Sequence, residues 1–158
     1  MKKIILFLLL FLLVAIGLSA WIYSNAIESV KAVEKKVVPL AKEKAGIERH
    51  SRFQLYNGFD KTTYVIEGKN NKGEEIIAWF PENSEKVTVR KISDGVSEKE
   101  AIRIVTEEMK PSEIHSIKLG MYKNIPIWEV SYSIGNDQLN YYLVNFDTGE
   151  YVTKILNL

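Results

Sequence analysis

The chain has 158 residues, 46% of them hydrophobic, and its 21 basic and 20 acidic side chains leave a formal charge of +1. So balanced a charge does not indicate nucleic acid as a partner, since nucleic acid is bound by clustered positive charge. The chain contains no cysteine, which excludes disulfides, thiolate metal sites and thiol nucleophiles.

The first element is an uncharged apolar stretch at residues 4–23 that is long enough to cross a bilayer. A helix rises about 1.5 Å per residue, so this stretch spans the hydrocarbon core of about 30 Å. Lys2 and Lys3 precede it and predict a cytoplasmic amino terminus, with the C-terminal domains outside the membrane. Trp21 and Tyr23 are expected at the outer membrane–water interface, where amphipathic aromatic side chains accumulate.

A cleaved signal peptide is the alternative interpretation of this stretch. Ser24-Asn25-Ala26 places small residues at the two positions that a signal peptidase needs. Signal peptides, however, usually have a shorter apolar region of about 7–15 residues, and this one has aromatic residues at its exit. We therefore predict that residues 1–23 form a cytoplasmic tip and a retained single transmembrane anchor.

Downstream of the anchor, a helix followed by four strands is predicted twice. In the first cycle, apolar residues recur at spacings of three and four from Ser24 to Ala45, which indicates an amphipathic helix that ends at Gly46. Pro39 is expected to kink or interrupt this helix, because its ring nitrogen cannot donate a hydrogen bond. Four strands follow, at residues 51–56, 61–67, 75–80 and 86–92.

The second cycle begins at Ser97, which can form a capping box with Glu100. The helix is predicted to reach Met109, because Pro111 just beyond it cannot continue a helix. Strands are expected at residues 112–119, 125–134, 138–146 and 151–156, with turns at 120–124 and 135–137. Since one helix can cover one face of a small antiparallel meander, the sequence predicts an α+β fold with two domains in tandem.

Three segments of the second cycle resemble the PepSY family, in which a capped helix precedes a Trp-Glu-Val strand and an Asp-Thr-Gly hairpin. They are DGVSEKEA at 94–101, IPIWEVSY at 125–132 and YYLVNFDTGEYV at 141–152. With YVIEGKNNKGEEIIAWFPE at 64–82 and the leading apolar span, the whole chain is similar to the TseB-like family of bitopic proteins from Gram-positive rod-shaped bacteria. The resemblance implies two cystatin-like domains after the transmembrane helix, at residues 24–93 and 94–158.

The same resemblance implies a non-enzymatic regulator of cell-wall elongation that binds a penicillin-binding transpeptidase in the same membrane. Two alternatives remain open. PepSY domains also resemble peptidase propeptides, so the chain could inhibit or chaperone an extracytoplasmic protease, or it could sense an envelope ligand.

No pattern of residues in the sequence predicts catalysis, a metal or a cofactor, and we do not expect a small-molecule ligand. The sequence around His50 and His115 does not show the spacing of a metal site, and the neighbouring carboxylates of Glu74 and Glu75 diverge along a strand. The Asn145–Glu150 segment resembles the start of a calcium loop without its later ligands, and we interpret it as a hairpin turn.

Aromatic residues are the remaining candidates for function. Trp79 and Trp128 hold similar places in the two cycles, and both are predicted to be core residues. The strand at 138–146 is apolar on both faces, with Tyr141 on one face and Tyr142 on the other. One face must pack on the helix, and the other must meet the neighbouring domain, a partner or water. Tyr141 and Tyr142 are therefore the candidate partner-binding residues.

Overall fold

The computed structural model describes residues 2–135 and 138–156. The turn predicted at 135–137 therefore lies largely outside the described residues. Contacts divide the described chain into two units, one that ends at Val37 and one that begins at Val38.

The first unit consists of the greater part of one long helix. This helix, α1, runs from Lys2 to Ala45 without interruption. It is the one helix in the described part of the chain that is long and apolar enough to cross a membrane, and its most apolar window has no buried surface. The interruption expected at Pro39 does not occur, because proline has a helical φ and removes only one hydrogen bond from the ladder.

The second unit contains the end of α1 and two four-stranded antiparallel sheets, each a simple meander. The predicted α+β class, with an apolar N-terminal helix and two such sheets, is confirmed. A short 3₁₀ turn at Ile92–Asp94 separates the sheets. The first sheet comprises β1 (Arg49–Asn57), β2 (Thr62–Lys69), β3 (Glu75–Pro81) and β4 (Thr88–Lys91); α2 (Glu98–Met109) precedes the second, which comprises β5 (Glu113–Tyr122), β6 (Ile125–Ser133), β7 (Leu139–Asn145) and β8 (Tyr151–Ile155).

Both helix ends in this unit follow the predicted signals. The chain leaves α1 through Gly46, whose φ of 71° is the left-handed conformation that glycine adopts without strain. At the start of α2, the Ser97 hydroxyl oxygen accepts a hydrogen bond of 3.2 Å from the Glu100 amide. This bond satisfies one of the amides that a helix N-terminus leaves unpaired.

One hydrophobic core joins the two sheets and α2. Trp79 of the first sheet is fully buried, and its ring packs edge-on against Phe146 of the second cycle at 5.2 Å. Trp128 is also buried, and its indole nitrogen donates a 2.7 Å hydrogen bond to the carbonyl of Val96. The two cycles thus share their interior, while the domain boundaries at 23/24 and 93/94 stay predictions.

The turn predicted at 120–124 is shorter in the structure than in the sequence pattern. β5 continues to Tyr122, and the turn consists of Lys123 and Asn124, which have φ values of 48° and 66°. Gly120 lies inside β5, where a Cβ atom would come within 2.5 Å of the Tyr56 ring. The glycine therefore provides space for a tyrosine of the other sheet, which is a reason that local turn chemistry cannot reveal.

A buried hydrogen bond joins the sheets at this point. The Tyr56 hydroxyl donates to a Glu129 carboxylate oxygen at 2.7 Å, and both side chains are buried. Burial raises the pKa of Glu129, against the opposing effects of the Tyr56 hydrogen bond and the Lys118 charge. Burial and the Glu129 carboxylate also raise the pKa of Tyr56, so the tyrosine stays protonated and keeps donating.

Exposed contacts surround the buried bond and hold the rims of the two sheets together. Asp60 accepts a 2.9 Å hydrogen bond from the Lys123 amide, next to the bond from Lys61 to Asn124. On another side, the Arg90 guanidinium donates two hydrogen bonds to the Asp147 carboxylate, at 2.8 and 3.1 Å. Two-point contacts of this kind restrict orientation as well as distance.

Replacement of Trp128 by alanine should destabilise the second unit. It removes a buried indole and the hydrogen bond to Val96, and such truncations typically cost about 3–5 kcal/mol. Thermal unfolding of the full-length chain in detergent, followed by circular dichroism, measures the effect. Lys72→Ala, in the exposed turn between β2 and β3, is the control, and an unchanged midpoint for Trp128→Ala would contradict the packing described above.

Glu129→Gln should change how stability depends on pH. Because the pKa of Glu129 is higher in the folded chain than the reference value of 4.5, the folded chain binds this proton more tightly. Stability is then lost as the pH rises from about 4.5 through the folded pKa. Glutamine keeps an acceptor for Tyr56 but cannot ionise, so the stability of the variant relative to wild type should increase with pH across this window. The increase is about 1.4 kcal/mol for each pH unit that separates the folded pKa from the unfolded pKa.

Urea unfolding at a series of pH values measures the effect of Glu129→Gln. Glu85→Gln, at an exposed position, is the matched control and should follow the wild-type profile. Parallel profiles for wild type and Glu129→Gln would show that Glu129 ionises in the folded chain as it does in the unfolded chain.

Candidate docking surface

The edge strands of the two sheets differ in how well their outer sides are protected from pairing with another strand. β1 and β4 are the edges of the first sheet, and β5 and β8 are the edges of the second. β1 and β5 contact each other, and the Gln54 side chain donates a hydrogen bond of 2.5 Å to the Leu119 carbonyl of β5. β4 is only four residues long, and its cations Arg90 and Lys91 are paired with Asp147 and Glu74. These features are typical of edges that are protected from pairing with another chain.

β8 has an open edge with exposed apolar side chains beside it. The strand pairs with β7 on one side only. Tyr151, the first residue of β8, is 52% exposed, and Leu156, the residue that follows the strand, is 45% exposed. The Tyr151 ring is held edge-on to Tyr142 at 5.2 Å, so its exposed surface belongs to an ordered side chain.

The face of the second sheet opposite to Tyr142 and Tyr151 is also apolar near β8. Phe59, in the loop between β1 and β2, is 49% exposed and packs edge-on against Tyr141 at 5.6 Å. Tyr141 lies directly across from Ile155 of β8, and residues opposite each other in an antiparallel pair share a face. Tyr141 and Ile155 are both half-buried. We call Phe59, Tyr141, Tyr151, Ile155 and Leu156 together the β8 edge surface.

The structure places the two tyrosines predicted to bind a partner in different environments. Tyr141 belongs to the β8 edge surface. Tyr142 is 1% exposed, and its hydroxyl donates to the Glu108 carboxylate of α2. Burial and the nearby carboxylate of Glu108 raise the pKa of Tyr142. Tyr142 thus supports α2 and the Tyr151 ring and presents almost no surface to a partner, while partner binding by Tyr141 stays a prediction.

The residues predicted at the membrane interface lie in the first unit. Trp21 and Tyr23 are part of α1, and both side chains are exposed along the helix. They follow the apolar stretch directly in sequence. Their position at the membrane interface stays a prediction.

His115 and the calcium-like segment form hydrogen bonds within the second sheet and its hairpin. His115 lies at a β-bulge in β5, and its Nε2 atom is 2.7 Å from the Ser133 hydroxyl. In the hairpin between β7 and β8, the Asn145 side chain accepts hydrogen bonds from the amides of Asp147 and Thr148. The Asn145 side chain therefore stabilises this turn. Across the described residues, no three His, Asp or Glu side chains are grouped to hold a metal ion.

Sequence reasoning missed Phe59 as a member of the candidate site. Phe59 follows the turn residues Asn57-Gly58, where an isolated aromatic residue has no periodicity to place it. Its partner Tyr141 is distant in sequence and belongs to the other sheet. A large apolar side chain in a polar loop was the one available signal, since such residues usually have a packing or binding partner.

Two family models match the second unit in chain order. Residues 38–81 match the cell wall elongation regulator TseB-like domain. Residues 95–152 match PepSY, the peptidase propeptide and YPEB domain.

The chain also matches a full-length relative and a solved structure. The Bacillus subtilis (strain 168) protein named "Probable cell wall elongation regulator TseB" is 26% identical over 158 residues, which cover 98% of each chain. The structure of the YpmB protein from Bacillus subtilis has a TM-score of 0.73 and 24% identity, and the match covers 77% of this chain and 95% of that one. The structural match establishes the fold. Together with the two family models, the matches show that the chain is similar to TseB-like proteins, with a segment that matches the TseB-like domain followed by one that matches PepSY.

Proposed function

We propose that the chain is a membrane-anchored, non-enzymatic regulator of cell-wall elongation that acts by binding a penicillin-binding transpeptidase. The observation that carries this proposal is the match to a relative named as a cell wall elongation regulator, because it covers 98% of both chains. A match of that extent includes the apolar helix and both sheets, so the whole architecture is available for the same role.

Anchoring is supported by the length and composition of α1, and its orientation is part of the proposal. Two lysines come before the apolar stretch, and positive charge beside a span is retained on the cytoplasmic side. The amino terminus is then cytoplasmic, and residues 38–158 lie outside the membrane. This orientation gives the second unit access to the extracytoplasmic part of a transpeptidase.

A binding role rather than a catalytic one is supported by how the polar groups of the second unit are used. Glu129 has a raised pKa, which in a cleft would suggest acid–base chemistry. Here the carboxylate is enclosed between two sheets and engaged by the Tyr56 hydroxyl. A substrate has no access to it, so its function is to position the sheets.

Inhibition or chaperoning of an extracytoplasmic protease is the second candidate. It is favoured by the PepSY match at residues 95–152, because that family is described as a peptidase propeptide domain. The two candidates differ in their partner: the first requires a transpeptidase and the second a protease.

Photo-crosslinking in cells of the source bacterium separates the two candidates. A photoreactive residue at Phe59 or at Tyr151, both well exposed, should link the full-length chain mainly to a penicillin-binding transpeptidase, identified by mass spectrometry. A photoreactive residue at Lys72, in the exposed turn between β2 and β3, is the matched control. Mainly protease adducts would instead support the second candidate.

Loss of the anchor should abolish function while leaving the fold intact. When residues 1–23 are exchanged for a cleavable signal peptide, we expect a secreted, folded chain that fails to restore normal cell shape to a deletion strain. An unrelated single span of the same orientation is the control and should restore it. Full complementation by the secreted form would show that anchoring is not needed.

A further inference from the structure

We propose that β8 is a docking edge, at which an extended segment of the partner protein pairs with β8 as a fifth strand of the second sheet. This inference rests on the proposed function, since the partner is the transpeptidase that the function requires. The segment is apolar on both sides and carries an acidic residue opposite Lys154.

The outer side of β8 is open. A strand at the edge of a sheet presents unpaired amide and carbonyl groups that can accept another strand. β1 and β5 lie against each other, and the short β4 carries two ion-paired cations. β8 has five residues and pairs only with β7, which is enough length for a short added strand.

Exposed apolar side chains lie beside β8 on both faces of the sheet. Successive side chains of an added strand point to opposite faces. Because the pairing of β8 with β7 shifts register at Val152, Tyr151 lies on the same face as Lys154 and Leu156. On that face an added strand would meet Tyr151 and Leu156, which are about half exposed, and on the other face it would meet Phe59 and the Tyr141–Ile155 pair. An extended segment with apolar residues on both sides would therefore bury apolar surface along its whole length.

The charge on β8 favours a partner segment over a second copy of this chain. Lys154 lies in β8 with its side chain exposed, and no carboxylate in the described part of the chain forms an ion pair with it. If β8 paired with β8 of a second copy symmetrically about Thr153, the two Lys154 side chains would be diagonal neighbours about 7–8 Å apart. Like charges at that distance oppose self-pairing, whereas an acidic residue opposite Lys154 stabilises a different strand.

Hydrogen exchange of the purified complex tests the position of the added strand. The full-length chain in detergent is mixed with the purified penicillin-binding transpeptidase of the source bacterium, and amide exchange is followed by mass spectrometry. We expect complex formation to slow exchange at residues 151–155, since their outer amides become paired, and to leave residues 88–91 of β4 unchanged.

Binding affinities of charge variants test the predicted chemistry of the segment. Lys154→Glu should weaken the complex about tenfold, because a favourable cross-strand charge pair becomes a repulsive one. Lys154→Arg should bind as the wild type does. Lys72→Glu, in the exposed turn between β2 and β3, makes the same charge change at a distance and is the matched control. Equal melting temperatures for these variants show that the differences arise from binding and not from folding.

The possible failures can be told apart. A complex that forms without slower exchange in β8 and is insensitive to Lys154→Glu overturns the docking edge and leaves the proposed function intact. Absence of any complex overturns both. Slower exchange in β8 on self-association, without the transpeptidase, overturns the partner segment in favour of a second copy.

Discussion

The arrangement of the second unit depends on the hydrogen bond between Tyr56 and Glu129. It joins β1 of the first sheet to β6 of the second in an interior where neither group meets water. The ring of Tyr56 lies against Gly120, where any side chain would collide with it. The Tyr56 hydroxyl and Gly120 together fix the position of the first sheet on the second. The contacts at the rims follow from that position, since Phe59 contacts Tyr141 and Arg90 pairs with Asp147.

The hydrogen bond between Tyr56 and Glu129 fixes the relative position of the two sheets more than it stabilises the fold. Burial of a carboxylate carries a desolvation penalty that one hydroxyl donor offsets only in part, as the raised pKa of Glu129 indicates. An apolar pair of similar shape could fill the same space without that penalty, but it would accept several relative positions of the sheets. A hydrogen bond is directional and is therefore compatible with only a few relative positions of the sheets. We therefore assign to Glu129 the role of setting the register between the sheets, while the rings of Trp79 and Trp128, which both contact Phe146, belong to the apolar core that the sheets share.

Local patterns in the sequence predicted the elements, and long-range contacts decided the candidate site. Alternation of apolar residues placed all eight strands, and Ser97 and Gly46 marked helix ends, because these signals arise within a few neighbouring residues. Gly120 was assigned to a turn because its steric partner is 64 positions earlier in the chain. Tyr141 and Tyr142 could not be ranked from the sequence: each lies on an apolar face, and which face remained accessible depended on α2 and on the position of Phe59.

An open apolar edge is a liability that the rest of this fold avoids. The other three edges are shielded by mutual contact or by paired cations, whereas in the described part of β8 the register shift at Val152 and the charge of Lys154 oppose non-specific pairing. A free edge of five residues forms few hydrogen bonds, so an added strand binds weakly in dilute solution. Confinement to one membrane raises the effective concentration of an anchored partner, and this can raise the overall affinity by orders of magnitude without any new contact. A weak, open edge is therefore useful to an anchored regulator, because it binds when the partner is in the same membrane and releases it when the partner moves away.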